Sequence, residues 1–252
     1  MFSRDYTPTV CLKGHVYLLG CSHDEGKNLK KIEKYSVETD ALEVVGDMIG
    51  DCESFCVCGF IDKIYFIGGE TLDESTATCR YFCTNDYTWV SIVDMNEARS
   101  SAACTVFEER IVVTGGWGNY SILKTVEAFD YIANEWTYMP SMIERAFDHA
   151  LVAIKNKLFA IGARKTFLEV YDSASNAFVS IKNQIRRYPA HNFSEYAWFT
   201  HAMGMAGKVF IFSLESSEVR CYDSDRGEWS NLPCSTATDG CNFFTKIPKL
   251  EL

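Results

Sequence analysis

The groups that could carry chemistry in these 252 residues are five histidines, eleven cysteines and 34 carboxylates. His15, His23, His149, His191 and His201 lie far apart, and no HExxH, HxH or mixed His/Cys spacing gathers them around a metal ion. Cys52-x3-Cys56-x-Cys58 is the densest thiol cluster. Cys56 and Cys58 alternate along a strand-like run and share a face, which predicts buried, inert thiols. The flanking carboxylates of Asp51 and Glu53 disfavour a thiolate there. The cysteine count is odd and contains no CxxC pair, which argues for a reducing compartment over a disulfide scaffold. There is no GxSxG elbow, no P-loop and no GxGxxG after a strand. The residues therefore predict neither a catalytic site nor a cofactor.

Bulk properties narrow the remaining classes. Lys and Arg number 24 against 34 Asp and Glu, a net charge of −10, and the pI is near 5.0. An acidic chain of this kind does not neutralise phosphates along an extended face, so nucleic acid is not an expected partner. No stretch approaches the roughly 18–20 apolar residues of a membrane-spanning helix. The first residues, Met1 to Pro8, are polar and lack a signal-peptide apolar region. A cytoplasmic protein without membrane contact is the expectation.

The elements that must position any binding residues repeat along the chain. Short apolar runs end on small residues at Gly20-Cys21, Gly68-Gly69, Gly115-Gly116 and Gly162-Ala163, with Phe212-Ser213 in the fifth place. The steps are 48, 47, 47 and 50 residues. Downstream, an aromatic precedes a large apolar residue by seven positions in every unit: Tyr35/Leu42, Phe82/Trp89, Phe129/Trp136, Tyr171/Phe178 and Tyr222/Trp229. Runs of four to six residues rich in Val, Ile, Phe and Tyr suit strands covered on both faces. Paired glycines allow positive φ and close backbone approach. Each unit supplies about four short strands, helical periodicity is absent, and one unit cannot cover its own apolar faces. Radial closure into an all-β propeller solves this with few open edges.

The doublet, the aromatic followed by Asp (Phe129-Asp130, Tyr171-Asp172, Tyr222-Asp223), the Trp seven on, and the Met…Arg stretches Met95–Arg99 and Met142–Arg145 resemble kelch repeats. The resemblance runs from about Arg4 to the C-terminus and is strongest in the second and third units. The units fall at about 4–50, 51–97, 98–144, 145–197 and 198–236, with 237–252 a partial unit or closing strand. Two closures stay open: a five-unit ring, or an incomplete ring of the six-blade kind usual for kelch adaptors. The other chemistries found on propellers do not fit. Copper oxidases on kelch-like propellers need paired His and Tyr ligands, and the Ser-Asp-Arg-Gly run at 224–227 misplaces the Asp and Gly of a sialidase motif.

The resemblance implies a non-enzymatic domain that binds a partner protein on a loop face, most like the substrate-recognition propeller of BTB–kelch adaptors of cullin-3 ubiquitin ligases. The partner segment in that family is often an acidic peptide. Cullin-3 itself is engaged through a BTB region that these 252 residues do not contain. The alternative is an actin-binding cytoskeletal kelch protein. On that face the resemblance places Arg99, Trp117, Tyr120, Arg145, Phe147 and Arg164. It adds Arg186, Arg187, Tyr188 and Tyr196 from an eight-residue insertion between the fourth and fifth units, a stretch rich in the arginine and aromatic side chains that binding surfaces favour. Arg99 and Arg145 are also suited to bracing neighbouring loops.

Overall fold

A computed structural model describes residues 8–20, 22–24, 27–50, 53–72, 74–162, 167–181, 200–213 and 219–232. The first blade consists of β1 (Thr9–Leu12), β2 (His15–Leu19), a small hairpin of β3 (Ser22–Asp24) and β4 (Lys27–Leu29), then β5 (Lys31–Ser36) and β6 (Ala41–Asp47). The second has β7 (Cys56–Phe60), β8 (Lys63–Ile67), a hairpin of β9 (Glu70–Thr71) and β10 (Glu74–Ser75), then β11 (Cys79–Cys83) and β12 (Trp89–Ser91). The third is β13 (Ala103–Phe107), β14 (Arg110–Thr114), β15 (Val126–Asp130) and β16 (Glu135–Met139). The fourth is β17 (Ala150–Ile154), β18 (Lys157–Gly162), β19 (Phe167–Asp172) and β20 (Ala177–Ser180). The fifth is β21 (Thr200–Met205), β22 (Lys208–Ser213), β23 (Val219–Asp223) and β24 (Glu228–Leu232).

Each blade is a four-stranded antiparallel meander, and the described residues contain no helix. The all-β propeller expected from the repeats is the architecture observed. Inner strands pack in series, β1 on β7, β7 on β13, β13 on β17 and β17 on β21. A cavity of about 310 Å³ is lined by residues of β1, β7 and β13. At the outer flanks of the series, Thr9 and Cys11 of β1 and Met203 of β21 are exposed, whereas Cys58 and Val152, which match Met203 in register, are covered by the next blade. The sequence-read tail at 237–252 lies outside the described residues, as do the unit's first residues at 4–7.

The seven-residue spacing has a local cause. The fifth residue after each aromatic is Asp40, Tyr87, Asn134, Asn176 or Gly227, and all five adopt positive φ, between 48° and 67°. One left-handed residue at a constant place turns the chain so that the aromatic and its partner pair across two strands. The Asp after the aromatic folds the same turn. Asp130 accepts the amides of Ile132 and Ala133, and Asp223 those of Asp225 and Arg226. Hydrogen bonds from Ala133 to Asp130 and from Arg226 to Asp223 hold both carboxyl groups below the usual carboxylate range. The paired rings are 5.4 Å apart for Phe82/Trp89, 5.1 Å for Phe129/Trp136, 5.4 Å for Tyr171/Phe178 and 5.0 Å for Tyr222/Trp229.

Packing between blades is what buries these rings. The second strands are buried along most of their length because a blade covers each of their faces. Four apolar clusters result. Val10, Tyr17, Phe66 and Phe82 join the first two blades, and Tyr65, Ile67, Phe129 and Trp136 join the next two. Phe107, Leu158, Tyr171 and Phe178 follow, then Val152, Phe159, Val209 and Tyr222. The Trp positions also bond backwards: Trp89 Nε1 donates to the carbonyl of Asp47 at 2.9 Å and Trp136 Nε1 to that of Val93 at 3.0 Å. Leu42 takes this place in the first blade and is half exposed.

A second inter-blade tie occupies one register position on the third strand, opposite the residue two before each doublet. Glu127 accepts the amide of Asn96 at 2.8 Å, and Glu169 accepts those of Ile143 at 2.8 Å and Glu144 at 2.7 Å. Arg80, in the same register, reverses the polarity and donates to the carbonyl of Ile49 at 3.2 Å. Ile49, Asn96 and Ile143 recur every 47 residues, so each tie grips the same point of the preceding connection.

Candidate protein-interaction face

The third blade's connection carries the exposed aromatics. After the Gly115-Gly116 doublet the chain bridges to two neighbours, Ser100 and Ile122, through Trp117. Trp117 exchanges backbone hydrogen bonds with Ser100 at 2.7 and 2.9 Å. Its carbonyl also accepts the hydroxyl of Ser75 at 2.7 Å, and Asn119 Oδ1 accepts the Ser75 amide at 2.8 Å. The β9–β10 hairpin of the second blade is thereby clamped to the loop of the third.

On this platform the Trp117 ring stands edge-on to Phe147, with centroids 5.5 Å apart and planes at 80°. Arg145 is exposed and donates to the Ile122 carbonyl at 2.6 Å. Trp117 is 45% exposed, while Tyr120 and Leu72, at the tips of the two clamped loops, are each 99% exposed. An aromatic pair, two exposed tips and a guanidinium lie on backbone held by inter-blade hydrogen bonds, the residue types that partner-binding surfaces favour. Glu70 and Glu74 flank it from the second blade, with Glu70 accepting the hydroxyl of Ser54 at 3.2 Å.

Four of the residues expected on the face, Trp117, Tyr120, Arg145 and Phe147, are thus brought together. Arg99 is not among them. It is fully buried, and its guanidinium donates to the carbonyls of Gly115 at 2.7 Å and Thr125 at 3.1 Å, to Glu97 at 3.2 Å and to Glu127 at 2.7 Å. Arg99 acts as the brace beneath the doublet, because its guanidinium satisfies four buried or half-buried acceptors that a surface arginine could not reach. Arg164, Arg186, Arg187, Tyr188 and Tyr196 lie outside the described residues. Leu72 was missed in sequence because a single apolar residue between Thr71 and Asp73 has no periodic partner. Its position in the loop between doublet and aromatic was the available signal.

His149, beside this brace, is buried and shares a 2.8 Å hydrogen bond between Nε2 and the Thr114 hydroxyl. Burial, aided by the charge of Arg99, lowers its pKa from 6.5 to about 4. The folded state holds the neutral ring while the unfolded chain takes up a proton near pH 6.5. Stability is therefore complete above that pH and declines as pH falls towards 4, by about 3 kcal/mol for this group. Urea unfolding at pH 7 and pH 4.5 should show a smaller decline in His149→Gln than in the parent. Equal declines would remove His149 as the cause. No group of three or more metal-binding side chains is present among the described residues.

A family model described as Kelch motif matches residues 98–143, the third blade and the connection that carries Trp117. Across 250 residues the sequence is 22% identical to Kelch-like protein 23 of Homo sapiens, covering 95% of this chain and 44% of that protein. The chain is a β-propeller whose third blade matches the Kelch motif and whose relatives are kelch-like proteins. It is also similar to Kelch-like protein 25 of Xenopus tropicalis, 24% identical over 226 residues covering 81% of this chain and 37% of that protein. Kelch repeat and BTB domain-containing protein F47D12.7 of Caenorhabditis elegans is 32% identical over 110 residues, 40% of this chain and 18% of that protein. The chain spans less than half the length of these curated relatives.

Proposed function

We propose that this kelch propeller is a non-enzymatic protein-interaction domain that works in the cytoplasm as the substrate-recognition part of a cullin-3 ubiquitin-ligase adaptor. The observation that carries the binding role is the cluster of Trp117, Phe147, Tyr120 and Arg145 on the clamped loops of the second and third blades. Aromatic rings supply contact area at little entropic cost, and the Arg145 guanidinium offers a carboxylate a charge-assisted partner, which suits an apolar segment bearing an acidic residue. The adaptor role draws on the kelch-like relatives, one of which couples kelch repeats to a BTB domain in its name. Cullin engagement would fall to a region of that kind outside these 252 residues.

Affinity capture with mass spectrometry, using the chain as bait beside a Trp117→Ala/Tyr120→Ala double variant, tests the reading. Both side chains are exposed, so the variant should melt with the parent and recover at least ~10-fold less of a discrete partner. Equal recovery from both baits would move the binding surface elsewhere. Co-sedimentation with actin filaments separates the cytoskeletal alternative.

A further inference from the structure

The seam between the second and third blades holds a thiol cluster that the binding role does not use. Cys56 and Cys58 face the third blade from β7, opposite Ile67 and Tyr65, and belong to the apolar cluster joining those blades. Cys104, on the neighbouring inner strand β13, packs against the same cluster. Sequence alone could pair Cys56 with Cys58 on one face, but Cys104, 48 and 46 positions downstream of them, joins their cluster only when the blades stack. Two of the three cysteines, Cys58 and Cys104, also line the roughly 310 Å³ cavity, the side from which peroxide would approach. Cys56 instead donates to the carbonyl of Ile67 at 3.5 Å and does not line the cavity.

We propose that Cys58 and Cys104 form a redox modification site in which hydrogen peroxide closes a disulfide between the second and third blades. A thiolate of the pair attacks peroxide, an S–O bond forms, the O–O bond breaks, and hydroxide leaves to become water with the displaced proton. The second sulfur attacks the sulfenic acid, the S–S bond forms, and the S–O bond breaks with loss of a second water. Two thiols and one peroxide thus give one disulfide and two waters, the sulfurs losing two electrons and the peroxide gaining them. Donation of the Cys104 proton to Cys56 and Cys58, with burial, pushes its pKa well above the ordinary value, so the first step is slower than at an exposed thiol such as Cys11. The shared seam and cavity keep the second thiol beside the sulfenic acid, which favours the second step over further oxidation.

The test treats the 252-residue chain with hydrogen peroxide, blocks remaining thiols with N-ethylmaleimide under denaturing conditions, and maps linked peptides without reduction. The expected product is one linkage between the peptides holding Cys58 and Cys104, two of eleven thiols protected from alkylation, and reversal by dithiothreitol. Cys11→Ser and Cys56→Ser should retain the linkage and Cys104→Ser should lose it. A Cys104–Cys56 link, a link to Cys11, or full alkylation of Cys58 and Cys104 would overturn the assignment. Mapping on the unsubstituted chain decides the matter whether or not each variant folds.

Discussion

Replacing Arg99 with alanine should destabilise the propeller by about 3–5 kcal/mol, the scale for removing one partner of a buried ion pair. The side chain is fully buried, and so is Glu127, whose carboxylate lies 2.7 Å from the guanidinium. Removal leaves that charge inside with only the Asn96 amide and side chain as donors. It also strips donors from the carbonyls of Gly115 and Thr125 and leaves Glu97 with the Thr125 hydroxyl. The melting temperature should fall by ~10 °C for a chain of this size. Arg99→Lys should recover only part of the loss, because one ammonium cannot reach acceptors on both sides of a planar fork. The double variant Arg99→Met/Glu127→Leu should be less damaged than Arg99→Ala, since it buries no orphaned charge. An Arg99→Ala melt within 1–2 °C of the parent would refute the bracing role.

Gly115→Ala should cost about 3 kcal/mol, from two independent terms. Gly115 has φ of +56°, a left-handed conformation that costs a side chain roughly 1–2 kcal/mol. A Cβ there would also run into the carbonyl oxygen of Ala146 and crowd the rings and chains of His149 and Met142. Forcing extra atoms into such a site adds about 1–3 kcal/mol. Gly14 separates the terms, because its φ is +74° but nothing lies within 4 Å of the added carbon. Thermal melts of Gly14→Ala and Gly115→Ala should therefore differ, with the second clearly lower. Equal shifts would mean that the loop after the third blade yields without strain. Gly68 repeats the arrangement one blade earlier, where a Cβ would meet the carbonyl oxygen of Arg99. The doublets are therefore the places where each blade admits the backbone of the next connection.

Repetition is what made the fold legible. The aromatic and its partner seven residues on recur because a left-handed residue sits five positions after the aromatic in every blade, and any side chain compatible with that turn will serve: Asp40, Tyr87, Asn134, Asn176 or Gly227. The binding face was legible only in part. Trp117 has no equivalent in the other units, whereas Arg145 ends a repeated Met…Arg stretch, and both lie on the connections that carry Tyr120 and Phe147. Arg99 ends the other Met…Arg stretch, yet it is interior where Arg145 is exposed, because the motif cannot tell a residue that meets a partner from one that anchors a connection. The inter-blade thiols were half visible for a similar reason. Alternation pairs Cys56 with Cys58, but contact with Cys104 depends on the packing of two blades, which no local pattern encodes.

The reversed polarity at Arg80 bears on how such a chain could evolve. Glu127 and Glu169 grip amides of the preceding connection, whereas Arg80 grips a carbonyl at the matching point. A duplicated copy of the second blade inserted after the third would present a cation to an amide donor, and the reverse exchange would set a carboxylate against a carbonyl. The units share one outline but not one coupling, so shuffling, duplicating or permuting them requires a compensating change at the joint. Divergence of a repeat thereby locks in its neighbours, and the order of units becomes heritable even though their shapes are interchangeable.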